Sequence, residues 1–123
     1  MLKDNFYKIV NAGKNENDLF FSIELNENHS IFQGHFPDNP ITPGVVQMEI
    51  VKELLQVDKS QKLKMISMSN CKFLAILNPK ENNSIDVVLT VNEGENNTLK
   101  VNSVFKNSET TFLKMSSIYE VEN

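Results

Sequence analysis

The chain has 123 residues, 40% hydrophobic and 23% charged, which suits one domain (1–123) with one core and leaves little for a second. Its net charge is −4 and all twelve basic residues are lysine, a balance that argues against a nucleic-acid footprint, where clustered basic charge and arginine are the rule. No apolar run approaches the roughly 20 residues of a membrane span, and the opening MLKDNFYKIVNAG carries acid and amide side chains where an export signal is apolar, so the expected location is cytoplasmic.

In chain order, DNFYKIV fits either a short helix or an edge strand. LFFSIELN (19–26) sets Leu19, Phe21, Ile23 and Leu25 against Phe20, Ser22, Glu24 and Asn26, the alternation of a strand with one buried face. His29, in NENHS, reads as an exposed turn residue. Three prolines within seven positions (Pro37, Pro40, Pro43) then bias residues 36–43 towards extended or turning backbone.

At Gly44 the period changes. With residues about 100° apart, Met48, Ile50, Val51, Leu54 and Leu55 share one face, and Glu49, Lys52, Glu53 and Gln56 share the other, predicting a helix from Gly44 to near Val57. A long β-leaning run follows (62–77), then SIDVVLTV (84–91), TLKVNSVFK (98–106) and TTFLKMSSIYEV (110–121), separated by turn clusters such as NEGENN. Short turns imply antiparallel pairing, and four strands after the helix suggest a meander. The expectation is an α+β fold in which a curved sheet wraps one helix, with sheet edges and leftover apolar surface favouring dimerisation. Cys71 is the single cysteine, which excludes an intrachain disulfide or a multi-cysteine metal site; it reads as a small core or interface residue.

A stiff loop feeding a helix can support chemistry. The first amides of a helix lack intrahelical acceptors and carry partial positive charge, so they suit a developing oxyanion. Gly44 stands at that start, where the missing side chain permits close approach to its N–H. His35 can serve as a base near neutral pH, and Glu49 as an acid if burial or a neighbour favours its protonated form. On spacing alone, the plainer readings stay open: Glu49 as a solvated carboxylate paired with Lys52 at i+3, His35 as a structural loop residue.

The string GHFPDNPITPGVVQMEI (34–50) resembles the signature of the β-hydroxyacyl-acyl-carrier-protein dehydratases of the hotdog superfamily, matched at His35, Phe36, Pro37, Pro40, Pro43, Gly44, Val45 and Glu49. The resemblance implies a divergent, short hotdog domain: one central helix wrapped by about five to six antiparallel strands. It also implies dehydration of 3-hydroxyacyl thioesters to trans-2-enoyl thioesters, in fatty acid synthesis or a specialised acyl or polyene pathway. His35 would take the C2 proton, Glu49 would protonate the leaving hydroxyl, and the Gly44 N–H would polarise the thioester carbonyl. Phe36, Pro43, Val45 and Phe73 would line the substrate site. The resemblance further implies no metal or redox cofactor, an acyl chain carried on the phosphopantetheine of acyl carrier protein, and a homodimer or dimer-based oligomer in which His and acid come from different subunits. Glu at position 49 resembles the dehydratase-only branch. One turn on, where the family commonly has Gln, stands Glu53, which would either favour protonation of Glu49 or face solvent. The rival readings are a hotdog acyl thioesterase and a non-catalytic acyl-carrier-binding subunit.

Overall fold

The structure, a computed structural model, describes residues 1–32 and 40–122. Among these residues, six strands and one α-helix follow in the order β1 (Tyr7–Asn15), β2 (Asp18–Leu25), α1 (Gly44–Lys59), β3 (Leu63–Phe73), β4 (Ser84–Glu93), β5 (Thr98–Lys106) and β6 (Thr111–Val121), with a 3-10 turn at Ser30–Phe32. All pairings are antiparallel, and the strand order across the sheet is β1-β2-β4-β5-β6-β3.

Period-two alternation builds the sheet. Leu19, Phe21, Ile23 and Leu25 of β2 are buried beside Ile85, Val87, Leu89 and Val91 of β4 and Leu99, Val101 and Phe105 of β5, while Phe20 turns outward. Against this face α1 lays Ile50, Val51, Leu54 and Leu55, all fully buried. At about 1.5–3 kcal/mol per buried large aliphatic side chain, those four residues are the helix's main hold on the sheet. The helix ends after Lys59, where Ser60 takes a left-handed conformation (φ 54°, ψ 39°) and its N–H closes on the Gln56 carbonyl. Lys59 in the last turn complements the negative end of the helix dipole. Between β4 and β5, Asn96 and Asn97 supply the two positive φ values of a tight turn, which asparagine tolerates better than most residues.

One open choice closes and two expectations change. Of the DNFYKIV segment, Asp4–Phe6 form a turn and Tyr7 opens β1, at one edge of the sheet, so the edge-strand alternative holds and the described strands number six. The four strands after the helix are not one meander. β4, β5 and β6 form one, but β3 lies at the opposite edge from β1 and pairs with β6. Alternation identifies strands but not neighbours, and the connection at residues 74–83 is long enough to carry the chain away from β3 to β4, whose buried face then aligns with that of β2. His29 is half-buried, not an exposed turn residue: its ring packs edge-on against Phe6 at 5.2 Å, and its Nδ1 accepts the Ile31 N–H at 3.0 Å. Cys71 faces inward, half-buried beside Met115 on β6, and burial pushes its thiol up, away from nucleophilic chemistry.

Candidate active site

Pro43 precedes α1 with extended backbone (φ −60°, ψ 147°) and no side-chain cap, and its carbonyl accepts the Val46 and Gln47 amides at 3.1 and 3.2 Å. Proline suits a helix start, since its fixed φ already matches the first turn. Thr42 holds the approach: its N–H donates to the Leu77 carbonyl at 2.8 Å, and its own carbonyl accepts from Gln47 Nε2 at 3.2 Å. The entry to the helix is thereby tied to the segment that follows β3.

Gly44 opens the helix, and a Cβ there would lie 2.6 Å from Cζ of Phe73. Two residues named from sequence are thus brought together across 29 positions, and the glycine has a reason beyond amide access: the phenyl ring occupies the space a side chain would need. Phe73 is 50% exposed and Val45 is 74% exposed, so the helix start presents an open apolar surface continued by Leu74 and Ile76. His35 and Phe36 lie outside the described residues.

Glu49 sits one turn beyond Val45, on the side of the helix that faces a cleft. Its Oε1 is 3.1 Å from Lys52 Nζ, and its side chain is 41% exposed. The cleft, about 300 Å³, lies between α1, β3 and β6 and is lined by Val45, Met48, Glu49, Lys52, Met65 and Tyr119 among others. Met48, expected on the core face, lines it half-buried. An ion pair this exposed is weakly held and screened, so Glu49 is free to exchange Lys52 for another partner.

Glu53 behaves differently. Only 1% exposed, it neither faces solvent nor lines the cleft. Its Oε2 accepts the Leu2 N–H at 2.8 Å, and its Oε1 accepts the Lys3 N–H at 2.9 Å and the Tyr7 O–H at 3.1 Å. Burial, reinforced by the Glu53 charge and hydrogen bond, pushes the Tyr7 phenol far up and keeps it a donor. The carboxylate is a clasp for the chain's first residues. Of the stripe read as polar, Glu53 thus points inward, and Gln47, outside that stripe, is buried as well. Sequence reasoning missed these roles because Glu53's partners lie 46–51 positions away and two of the three are backbone amides, which leave no mark in a side-chain pattern. Tyr119 was missed as well: its alternation marks a core residue, and only the fold shows that it also lines the cleft.

Residues 11–114 match the family model described as ApeI-like, ApeI dehydratase. Among curated proteins, the 3-hydroxyacyl-acyl-carrier-protein dehydratase FabZ of Thermoanaerobacter sp. (strain X514) is 30% identical over 69 residues, covering 50% of this chain and 49% of that protein. That of Acinetobacter baylyi is 38% identical over 47 residues, covering 38% and 30%. The chain spans about half the length of the first of these relatives and less of the second. Among solved structures, the dehydratase heterocomplex ApeI:P from Xenorhabdus doucetiae superposes with a TM-score of 0.71 at 20% identity, covering 90% of this chain and 95% of that one. A thioesterase superfamily protein from Shewanella loihica superposes at 0.59 with 7% identity, covering 92% and 90%. Identities this low carry fold alone, and both neighbours agree with a sheet wrapped on one helix, the hotdog arrangement. The family match spans Gly44, Glu49 and most of the residues lining the cleft, from within β1 to the first residues of β6, and on that extent the chain belongs to the ApeI-like dehydratase family.

Proposed function

We propose that this protein dehydrates 3-hydroxyacyl thioesters, carried on the phosphopantetheine arm of acyl carrier protein, to trans-2-enoyl thioesters. The observation that supports this most strongly is the joint position of Gly44 and Glu49, at the start of the helix and one turn further along a cleft, inside a family match to a dehydratase. The His35 ring would remove the C2 proton, and the Gly44 N–H would stabilise the resulting enolate oxygen, an interaction worth on the order of 10²–10³ in rate. The C3–O bond would then break as Glu49 gives its proton to the departing hydroxyl, so that one water leaves and the C2–C3 double bond forms. Val45, Phe73, Pro43 and Phe36 would line the path of the acyl chain. The steps move only protons and water and call for no metal or redox group.

The edge strand β3, which ends at Phe73, also exposes Ile66 and Met68. A second subunit pairing there would cover apolar area, in keeping with the shared site, His from one subunit and acid from the other, that the family resemblance implies. The complex to which the fold is similar is described as a heterocomplex, so the second subunit is a copy of this chain or a related hotdog. Purified protein mixed with 3-hydroxyacyl carrier protein should generate enoyl-thioester absorbance. Release of free thiol and acid instead would favour the thioesterase reading, and no reaction until a second hotdog subunit is added would favour a partner-subunit role.

A further inference from the structure

Tyr119, on the inner face of β6, is 0% exposed, and its hydroxyl has no hydrogen-bond partner of acceptable geometry among the described residues. Ser117, two residues earlier on the same face, comes near without completing such a bond. A buried hydroxyl left unpaired costs stability, and phenylalanine would fill the same volume without that cost. Core packing therefore does not account for the oxygen. Tyr119 is nevertheless among the residues lining the cleft that Glu49 and Lys52 share, and the Glu49 charge acts on its phenol. Burial pushes it up, the Ser117 hydroxyl offsets part of this, and the Glu49 charge adds to it, so the group stays a neutral O–H donor at physiological pH. The other charged groups around the cleft are Lys52 from α1, Lys64 from β3 and Glu122 just after β6. Among the described residues lining the cleft, Tyr119 thus carries the one neutral hydrogen-bond donor, the others offering charge or apolar surface.

We propose that Tyr119 is a positioning residue for Glu49: its O–H donates to the Glu49 carboxyl group once that side chain turns from Lys52 into the cleft. The inference rests on the dehydratase reading, in which Glu49 must point its proton at the leaving hydroxyl. Facing Lys52, the carboxylate is directed along the helix surface; held by a donor on the sheet, it spans the cleft floor. A fixed donor also removes the orientational freedom that a half-exposed side chain otherwise has.

The test is Tyr119→Phe, which keeps the ring. It should lower kcat about tenfold, leave KM within about twofold, and move the alkaline limb of the pH–kcat profile to higher pH, because the ionised carboxylate loses a donor. A purely structural tyrosine would give equal or higher thermal stability with kcat and the limb unchanged, and that result overturns the inference. A second measurement needs no turnover. In Lys52→Met protein, where Glu49 has lost its present partner, adding Tyr119→Phe should shift the Glu49 carboxyl carbon resonance at neutral pH; an unmoved resonance also overturns the inference. If the resonance moves while the wild-type protein dehydrates nothing, the dehydratase reading fails and the Tyr119–Glu49 link stands.

Discussion

Glu49 and Glu53 are the same residue type one helical turn apart, yet they live in different solvents. Glu49 borders an open cleft with one loosely held lysine. Glu53 is sealed under the chain's first residues with three donors. A carboxylate meant to give and take a proton must be reachable and weakly committed; one meant to hold a fold together is saturated with hydrogen bonds. On the proposed function the contrast would separate chemistry from architecture on one helix, and substitutions at each should fail in different assays.

The largest effect is expected at the open carboxylate. Glu49→Gln keeps shape and hydrogen-bonding capacity but cannot deliver a proton, so kcat should fall by about 10²–10⁴ while the unfolding midpoint stays within a degree or two of wild type. A matching loss of stability would mean that Glu49 is structural and the comparison misplaced. Glu53→Ala should do the reverse. It strands two backbone amides and a phenol in a buried site, at a cost of about 3 kcal/mol in urea unfolding. Glu53→Gln retains acceptor capacity and should cost nearer 1 kcal/mol. Amide hydrogen exchange at Leu2 and Lys3 should accelerate in the alanine variant; unchanged protection there would dissolve the clasp.

The clasp also sharpens the alkaline behaviour of the fold. Tyr7 and Tyr119 are both pushed above the ordinary phenol value of 10.0. Below that value both phenols are protonated in folded and unfolded chains alike, and neither makes stability depend on pH. Above it the unfolded chain releases these protons first, so it binds fewer than the folded chain and stability falls as pH rises. Unfolding midpoints measured from pH 9 to 11 should decline, with phenolate absorbance appearing together with unfolding and not before it. Glu53→Gln should lessen the decline, since the charge and hydrogen bond that add to the effect of burial on Tyr7 are altered.

At the helix start, Gly44→Ala probes the open end of the comparison. The new methyl group would meet Cζ of Phe73 at 2.6 Å, but that ring is half-exposed and can swing aside. Alanine also favours helix over glycine by up to about 1 kcal/mol. Stability should therefore change by less than about 1 kcal/mol, while activity falls about tenfold as the displaced ring crowds the Gly44 amide. Adding Phe73→Ala should recover part of the loss; no recovery would show that the ring is not what the glycine accommodates.

What could be read from the chain follows the same division. Alternation found the inward residues of β2 one by one, because a sheet with one buried face writes itself at period two. The helix start was legible because proline, glycine and the change of period coincide at 43–44. The place of β3 was not, because strand neighbours depend on where a long connection chooses to land. Nor was Glu53: an amphipathic wheel assumes that polar means solvated, and here the N-terminal segment folds over the polar stripe. Gly44 and Glu49 stood out as candidates through the spacing around them, and the fold places one at the helix start and the other on the cleft, whereas Tyr119, with no local signature, became visible only when the sheet brought β6 to the cleft.

The smallest expected effect is at Lys52. Its ammonium lies 3.1 Å from Glu49, with side-chain exposures of 32% and 41%. At such exposure, Coulomb attraction is screened and side-chain entropy offsets it, so i,i+3 pairs contribute only a few tenths of a kcal/mol. Lys52→Ala should shift unfolding stability by no more than about 0.5 kcal/mol, and even that difference should fade between 50 mM and 1 M salt. A loss of 2 kcal/mol that persists in salt would mean that the Glu49 end of the helix is held as firmly as the Glu53 end. The distinction between a reactive and an architectural carboxylate would then have to be drawn from the sheet side of the cleft, where Tyr119 stands.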